Sequence, residues 1–430
     1  MTNSPIKEDF LHFLWRTKKI ADSHFETADG RSVDIQDYGV YNVDSGPDFF
    51  NARIRIDNTD WAGNIEMHVF SSDWTKHKHD DDNAYSNVIL HVVYENDRDI
   101  KYLRNEFFIP TIELKGKIPK SYLNHYLMLM QSKTSIPCQG LIKSVDRAKI
   151  NLWKYSLTAE RLYQKSELVD AVFKATTSDW EETIYIMMAR YFGAKVNAEP
   201  FERLAKSLPL SIINKNRDKL HVLEALYFGQ AGMLEANYSD DYYIRLKKEY
   251  RYHQKKHNLK PIEAVSWKFS KLRPVNFPTV RIAQFAALVH RITHLFTSVK
   301  EAENTTEIMD LLKVTAGTYW TNHFRFDVES KSAKKVTGTD FINILIINAV
   351  APVLYHYGKV NNDEEYTDKA IQLLESVAAE KNKITREWSS LDVSCSSAFD
   401  SQALIHLYHH YCHEFRCLQC KIGHEIMNVK

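Results

Sequence analysis

The sequence predicts an α+β protein, with an N-terminal α/β module of mixed sheet over residues 1–130 and a large all-α region over 131–430. Three observations carry this. Residues Ala52 to Ile56 and Ile65 to Val69 alternate apolar and polar side chains, the period-two pattern of half-buried strands. From about Ile142 apolar residues recur instead at helical spacing. Glycine (13) and proline (11) are scarce over 430 residues, which suits long helices and argues against linker-rich disorder.

In chain order, Glu8 to Lys19 places Phe10, Leu11, Leu14 and Trp15 at helical spacing. Arg31 to Val40, Asn51 to Ile56, Asn64 to Phe70 and Asn87 to Glu95 read as strands, with a further extended segment from Glu106 to Leu114. Trp61-Ala-Gly63 has turn chemistry between the second and third of these, and the polar SSDWTKHKHDDDNAY connects the third to the fourth. Helices follow at Trp153 to Phe173, Trp180 to Phe192, Phe201 to Leu208, Ile282 to Val299, Thr306 to Phe324, Phe341 to Tyr355, Tyr366 to Glu380 and Ser401 to Tyr411. Asp179 is placed to cap the second, and Thr279 to cap the helix containing Ile282.

Composition narrows the class. An apolar fraction of 44% with 26% charged residues is that of a soluble globular protein. The 56 basic and 55 acidic residues leave a net charge of +1, so nucleic-acid binding would have to come from local patches. The opening residues carry no apolar h-region, which predicts no signal peptide. No run reaches the roughly 18 apolar residues that span a bilayer; Phe341 to Tyr355 is interrupted by Asn343, Asn348 and Pro352. An odd cysteine count (5) fits a reducing cytoplasm better than a disulfide framework.

The stretch SGPDFFNARIRIDNTDWAGNIEMHV, Ser45 to Val69, carries the chemistry. Strand period two sends Glu66 and His68 to one face, with Asp48 at the mouth of the neighbouring strand. Two carboxylates and an imidazole on one sheet face make a divalent-metal site, with Mg²⁺ or Mn²⁺ as the expected ion. His77, His79 and His91 are further ligand candidates, set against a solvated loop for the first two and a core histidine for the third. A second cluster closes the chain. Cys412, Cys417 and Cys420, with a fourth ligand from among Cys138, Cys395, His413 and His424, suggest zinc or an iron–sulfur cluster. The alternative there is a set of buried thiols. Downstream, the basic, aromatic-rich segment from Arg245 and the pair Arg273 and Arg281 are candidates for nucleic-acid phosphate, weighed against ordinary helix faces and inter-helix packing. Glu224 to Gly232 carries small residues suited to close helix contact.

The motifs HFLWR, NVDSGPDFFNARI, WAGNIEMHVFSSDW, HKHDDDNAYSNVILHVVYEND, EALYFGQAG, LRPVNFPTVRIAQ and SQALIHLYHHYC…CLQC resemble one bacterial family, domain of unknown function 2851, common in Bacteroidetes. The resemblance spans nearly the whole chain and implies no activity. The N-terminal module alone is similar to the PD-(D/E)xK phosphodiesterase core, which implies a restriction-endonuclease-like fold. It implies catalytic and metal-binding roles for Asp48 and Glu66, with His68 where that superfamily has lysine and Glu8 or Asp9 as an additional acid. Some nucleases of that superfamily carry a cysteine-held iron–sulfur staple, which Cys138 with Cys412, Cys417 and Cys420 would echo.

The expected function is therefore a metal-dependent phosphodiesterase acting on DNA or RNA, with His68 orienting or deprotonating water. The alternative is a non-catalytic binding scaffold with a degenerate nuclease-like module and a structural metal at the cysteines. A third reading uses the histidines to hold zinc or iron for other hydrolytic or oxidative chemistry.

Overall fold

The structure is a computed structural model and describes residues 5–20, 24–100 and 108–429. The first two residues of the expected Glu106 to Leu114 segment lie outside the described residues. The chain divides into two compact units. One comprises residues 1–153 together with 407–430, the other residues 154–406. The closing cysteine segment therefore groups with the sheet, whereas the sequence reading had joined it to the helical region.

In the first unit, helix α1 (Glu8–Arg16) buries Phe10, Leu11, Phe13, Leu14 and Trp15 and carries Glu8 and Asp9 in its first turn, where acids favour the helix dipole. A sheet follows, with strands β1 (His24–Glu26), β2 (Ser32–Asp37), β3 (Val40–Tyr41), β4 (Phe49–Ile56), β5 (Thr59–Phe70), β6 (Val88–Glu95) and β7 (Thr111–Glu113). The order is β1-β2-β4-β5-β6-β7, with β3 pairing β4 off this path. Strands β2, β4 and β5 are antiparallel, and β5, β6 and β7 are parallel. The mixed sheet is as expected. The parallel step from β5 to β6 needs a crossover, which the polar segment supplies through the short helix α2 (Asp73–Lys76) and two 3₁₀ turns.

One local expectation fails. The β4–β5 turn falls at Asp57-Asn58, with Asp57 at φ 50°, and Trp61-Ala-Gly63 lies inside β5. Gly63 serves close approach, not turning. A Cβ there would sit 2.5 Å from Ile89 Cγ2 and 2.6 Å from the Asn87 carbonyl on the neighbouring strand side.

The C-terminal return of this unit packs a 3₁₀ turn (Cys417–Gln419) and a helix (Lys421–Met427) against its other elements. The ring of His424 meets Phe13 of α1 edge-on at 4.9 Å. Gly423 is required there, because a Cβ would fall 1.9 Å from the Cys417 carbonyl.

The second unit is helical around a shared core. Phe285 is a hub, its ring 5.1 to 5.6 Å from those of Phe192, Tyr227 and Tyr185. Asp179 caps its helix by accepting the Glu182 N–H at 3.0 Å. Thr279 does not cap. Helix Pro278–Arg291 starts on a proline with Phe277 at the cap position, and the Thr279 hydroxyl donates to Phe324 O. The expected helix Ile282 to Val299 breaks at Ile292, which is extended at φ −115°, ψ 115°. Helix Thr339–Asn361 is the one segment among the described residues long and apolar enough to cross a membrane, and 72% of that apolar stretch is buried. Its polar asparagines made the run look shorter in the sequence than its average hydropathy is.

Candidate metal centre

Strand geometry sets the first three groups. Glu66 and His68 share one face of β5, and the parallel register sets His91 of β6 opposite Glu66. Asp48, just ahead of β4, is locked to β5 from both ends. Its N–H donates to Glu66 Oε2 at 3.2 Å, and its Oδ2 accepts the Met67 N–H at 2.9 Å. From α1, His12 brings Nε2 to 3.1 Å from the same Asp48 oxygen. Glu8 stands one turn earlier on the same helix face and feels the charges of Asp48 and His12.

The crossover adds two more imidazoles. His77 ends α2, and Lys78 then takes a left-handed conformation at φ 61°, turning the chain so that His77 and His79 converge. His68 Nε2 lies 3.1 Å from His77 Nδ1 and 3.3 Å from His79 Nε2. Glu66 Oε1 is 3.2 Å from His79 Nε2 and 3.6 Å from His68 Nε2. Behind them, His91 Nε2 is 2.8 Å from His68 Nδ1. Trp74 is fully buried beneath this group, and Tyr85 stacks on His79 at 3.8 Å.

Burying so many titratable groups together distorts several of them. Burial first, then the charge of Asp48, pushes the Glu66 carboxyl up to about 9. Burial and Asp48 also raise Glu8, although nearby histidines pull it back. Burial alone would lower His12, but its contact with Asp48 outweighs that and holds it above its ordinary value. Burial and then the neighbouring imidazoles, His91 foremost, push His68 far down, and His91 falls to about 3. A ring so reluctant to take a proton is a poor general base and a ready neutral ligand. The expected water-deprotonating role of His68 is not what this environment favours.

A family model described as "Protein of unknown function (DUF2851)" matches residues 8–383. The chain belongs to this family. No curated protein and no solved structure matches it. The DUF2851 description assigns no activity, so chemistry has to be argued from the site itself.

The residues fit a divalent cation. Asp48, Glu66 and Glu8 are carboxylates raised or crowded by one another in a buried setting, a repulsion that a cation would relieve. Among the described residues, the group of three or more histidine, cysteine or acidic side chains gathered within 4.8 Å is His68, His77 and His79. His91 stands one layer behind that group and is not among the gathered ligand atoms.

The other candidates fall differently. Cys138, Cys412, Cys417 and Cys420 are all buried in the first unit and unoxidised. Burial raises the Cys138 thiol, helped by Cys420 and Cys417, and raises Cys417 to about 12. Cys138 lies within electrostatic reach of Cys417 and Cys420. Cys395 belongs to the helical unit. Of the histidines considered as a fourth ligand, His424 directs Nε2 to the Leu418 carbonyl at 2.8 Å, and His413 pairs with Glu414 at the surface. Arg281 is a correction. It is buried, bonded to Gln284 Oε1 and Asn276 Oδ1, and its guanidinium lies 3.4 Å from the Phe341 ring centroid. That is a local fork within its own helix and the turn before it, stacked on Phe341, and burial keeps it from a phosphate in solvent; Arg273 is exposed. Sequence reasoning missed His12 and Tyr85. The i,i+4 spacing of Glu8 and His12 was the available signal for the first.

Proposed function

We propose that this protein is a metal-dependent phosphodiesterase acting on nucleic acid, with its centre in the sheet unit. The observation that carries the reading is the convergence of acids from two elements, Asp48 and Glu66 locked across β4 and β5, with Glu8 and His12 brought in by α1. An acid at the mouth of one strand, Glu-x-basic on the next and a further acid on the preceding helix is the arrangement that the PD-(D/E)xK resemblance implies. Nucleic acid as substrate draws support from helix Asp241–His257 of the other unit. It sets Arg245, Lys247, Lys248, Arg251, Lys255 and Lys256 against Asp241 and Glu249, with Tyr252 exposed among them.

Asp48 and Glu66 would hold the ion, which supplies a hydroxide nucleophile and neutralises charge on the phosphate. His12 fixes the Asp48 carboxylate through the 3.1 Å contact, and Met67 N–H holds the same oxygen, Oδ2, which leaves Oδ1 for an ion. Glu8 adds a third carboxylate for a second ion or for the water. The direct test is cleavage of labelled DNA and RNA by the full chain with Mg²⁺, Mn²⁺ or Zn²⁺. Metal-dependent cleavage abolished by Asp48→Asn supports the reading. No cleavage of any substrate under any metal, or full turnover in Asp48→Asn, overturns it and leaves a binding scaffold.

A further inference from the structure

We infer that His68, His77 and His79 form a binding site for a transition-metal ion of the zinc class, with Glu66 beside two of them. The argument is one of edge lengths. Ligand atoms about 2.05 Å from a zinc ion at the corners of a tetrahedron stand about 3.3 Å from one another. The edges from His68 Nε2 to His77 Nδ1 and His79 Nε2 are 3.1 and 3.3 Å, and Glu66 Oε1 stands 3.2 Å from His79 Nε2 and 3.6 Å from His68 Nε2. The three ring nitrogens all fall within 4.8 Å of one another.

Hydrogen bonding among the same atoms accounts for less. His68 Nε2 meets two imidazole nitrogens and a carboxylate oxygen at once, and a single ring N–H serves one of them. A cation between the three ring nitrogens serves all of them. In the tautomer where His68 Nδ1–H donates to His91 Nε2, the Nε2 lone pair points into the group, as second-layer partners of metal-binding histidines arrange it. That tautomer leaves the buried His91 Nδ1 without a partner, as the structure has it.

Donor chemistry selects the ion. Imidazole nitrogen suits zinc, iron and related ions, whereas Mg²⁺ takes oxygen ligands. His77 is exposed while the other three are buried, so the site opens to solvent on one side and keeps a position for water or substrate. Glu66 lies between the two arrangements, its Oε2 towards the Asp48 N–H and its Oε1 towards the histidines. The site stands whether or not the acids cleave phosphodiesters.

The test reads binding alone. The full chain, stripped with chelator, is titrated with Zn²⁺ by calorimetry and with Co²⁺ as a spectroscopic probe. One equivalent of Zn²⁺ is expected, with the visible band of tetrahedral Co²⁺. His77→Ala, at an exposed position, should weaken Zn²⁺ binding about tenfold or more with circular dichroism unchanged. His77→Ala/His79→Ala should remove the cobalt band, and Cys417→Ser/Cys420→Ser should leave it. Absence of Zn²⁺ binding, binding indifferent to His77→Ala, or loss only in the cysteine variant would each overturn the proposal.

Discussion

The two units bury charge in opposite ways. In the helical unit the buried and half-buried cations Lys154, Lys165 and Arg281 are each answered by acceptors. Lys154 Nζ reaches Asp400 Oδ1 at 2.9 Å and Ser394 O at 2.6 Å, Lys165 reaches Gln402, Asn348 and Ile347 O, and Arg281 has Gln284 and Asn276. In the sheet unit, carboxylates crowd carboxylates and imidazoles crowd imidazoles. Glu66 is pushed up and His68 pushed down by burial first and then by neighbours of their own kind. Pairwise satisfaction is what stability requires. Clustering of like groups stabilises nothing by itself and is understandable when a cation completes it.

The comparison can be broken most sharply at the acids. Asp48→Asn and Glu66→Gln should each lower cleavage by about 10²–10³-fold or more, the usual effect of losing one group that stabilises transition-state charge. Thermal unfolding should barely change. A variant that lost its fold along with its activity would make these residues structural, like their helical counterparts.

Lys154→Met tests the opposite behaviour. Lys154 is 2% exposed, and its removal strands Asp400, so unfolding should become easier by about 3–5 kcal/mol with metal binding intact. Unchanged melting would contradict the pairing argument.

Glu224 is the exception in the helical unit, a carboxyl that burial pushes up to about 7. The folded chain there keeps a proton that the unfolded chain has released. Its stabilising effect is full below about 4.5 and is lost as pH rises through about 7. Melting temperature should fall across that window by the equivalent of up to about 3 kcal/mol, and Glu224→Gln should flatten the slope. A smaller effect is expected at Gly63→Ala, about 1–3 kcal/mol of destabilisation from the clash with Ile89 and Asn87. Smallest of all, Arg273→Ala should leave stability unchanged, while Arg281→Ala should cost about 2 kcal/mol through its lost hydrogen bonds and stacking. Equal effects at the two arginines would blur the line between surface and fork.

Much of this was legible before any coordinates. Period two alone put Glu66 and His68 on one face, and the mixed sheet followed from helix, strands, crossover and strand. The position of the β4–β5 turn was not. Trp61-Ala-Gly63 looks like a turn because glycine suits both turns and close strand contacts, and only the neighbouring Asn87 and Ile89 distinguish them. The convergence of His77 and His79 depends on one left-handed lysine, which no residue preference announces. His12 was hidden among the apolar residues of α1. The fate of the cysteines was out of reach for a different reason. Their grouping with the sheet comes from a return of the chain more than 250 residues later, and local pattern says nothing about contacts so distant.

The most direct test of the central claim is anomalous diffraction at the zinc edge from crystals of the full chain grown with Zn²⁺. The account predicts a peak among the ring nitrogens of His68, His77 and His79. Density with no peak there, or a peak only among Cys138, Cys417 and Cys420, would contradict it.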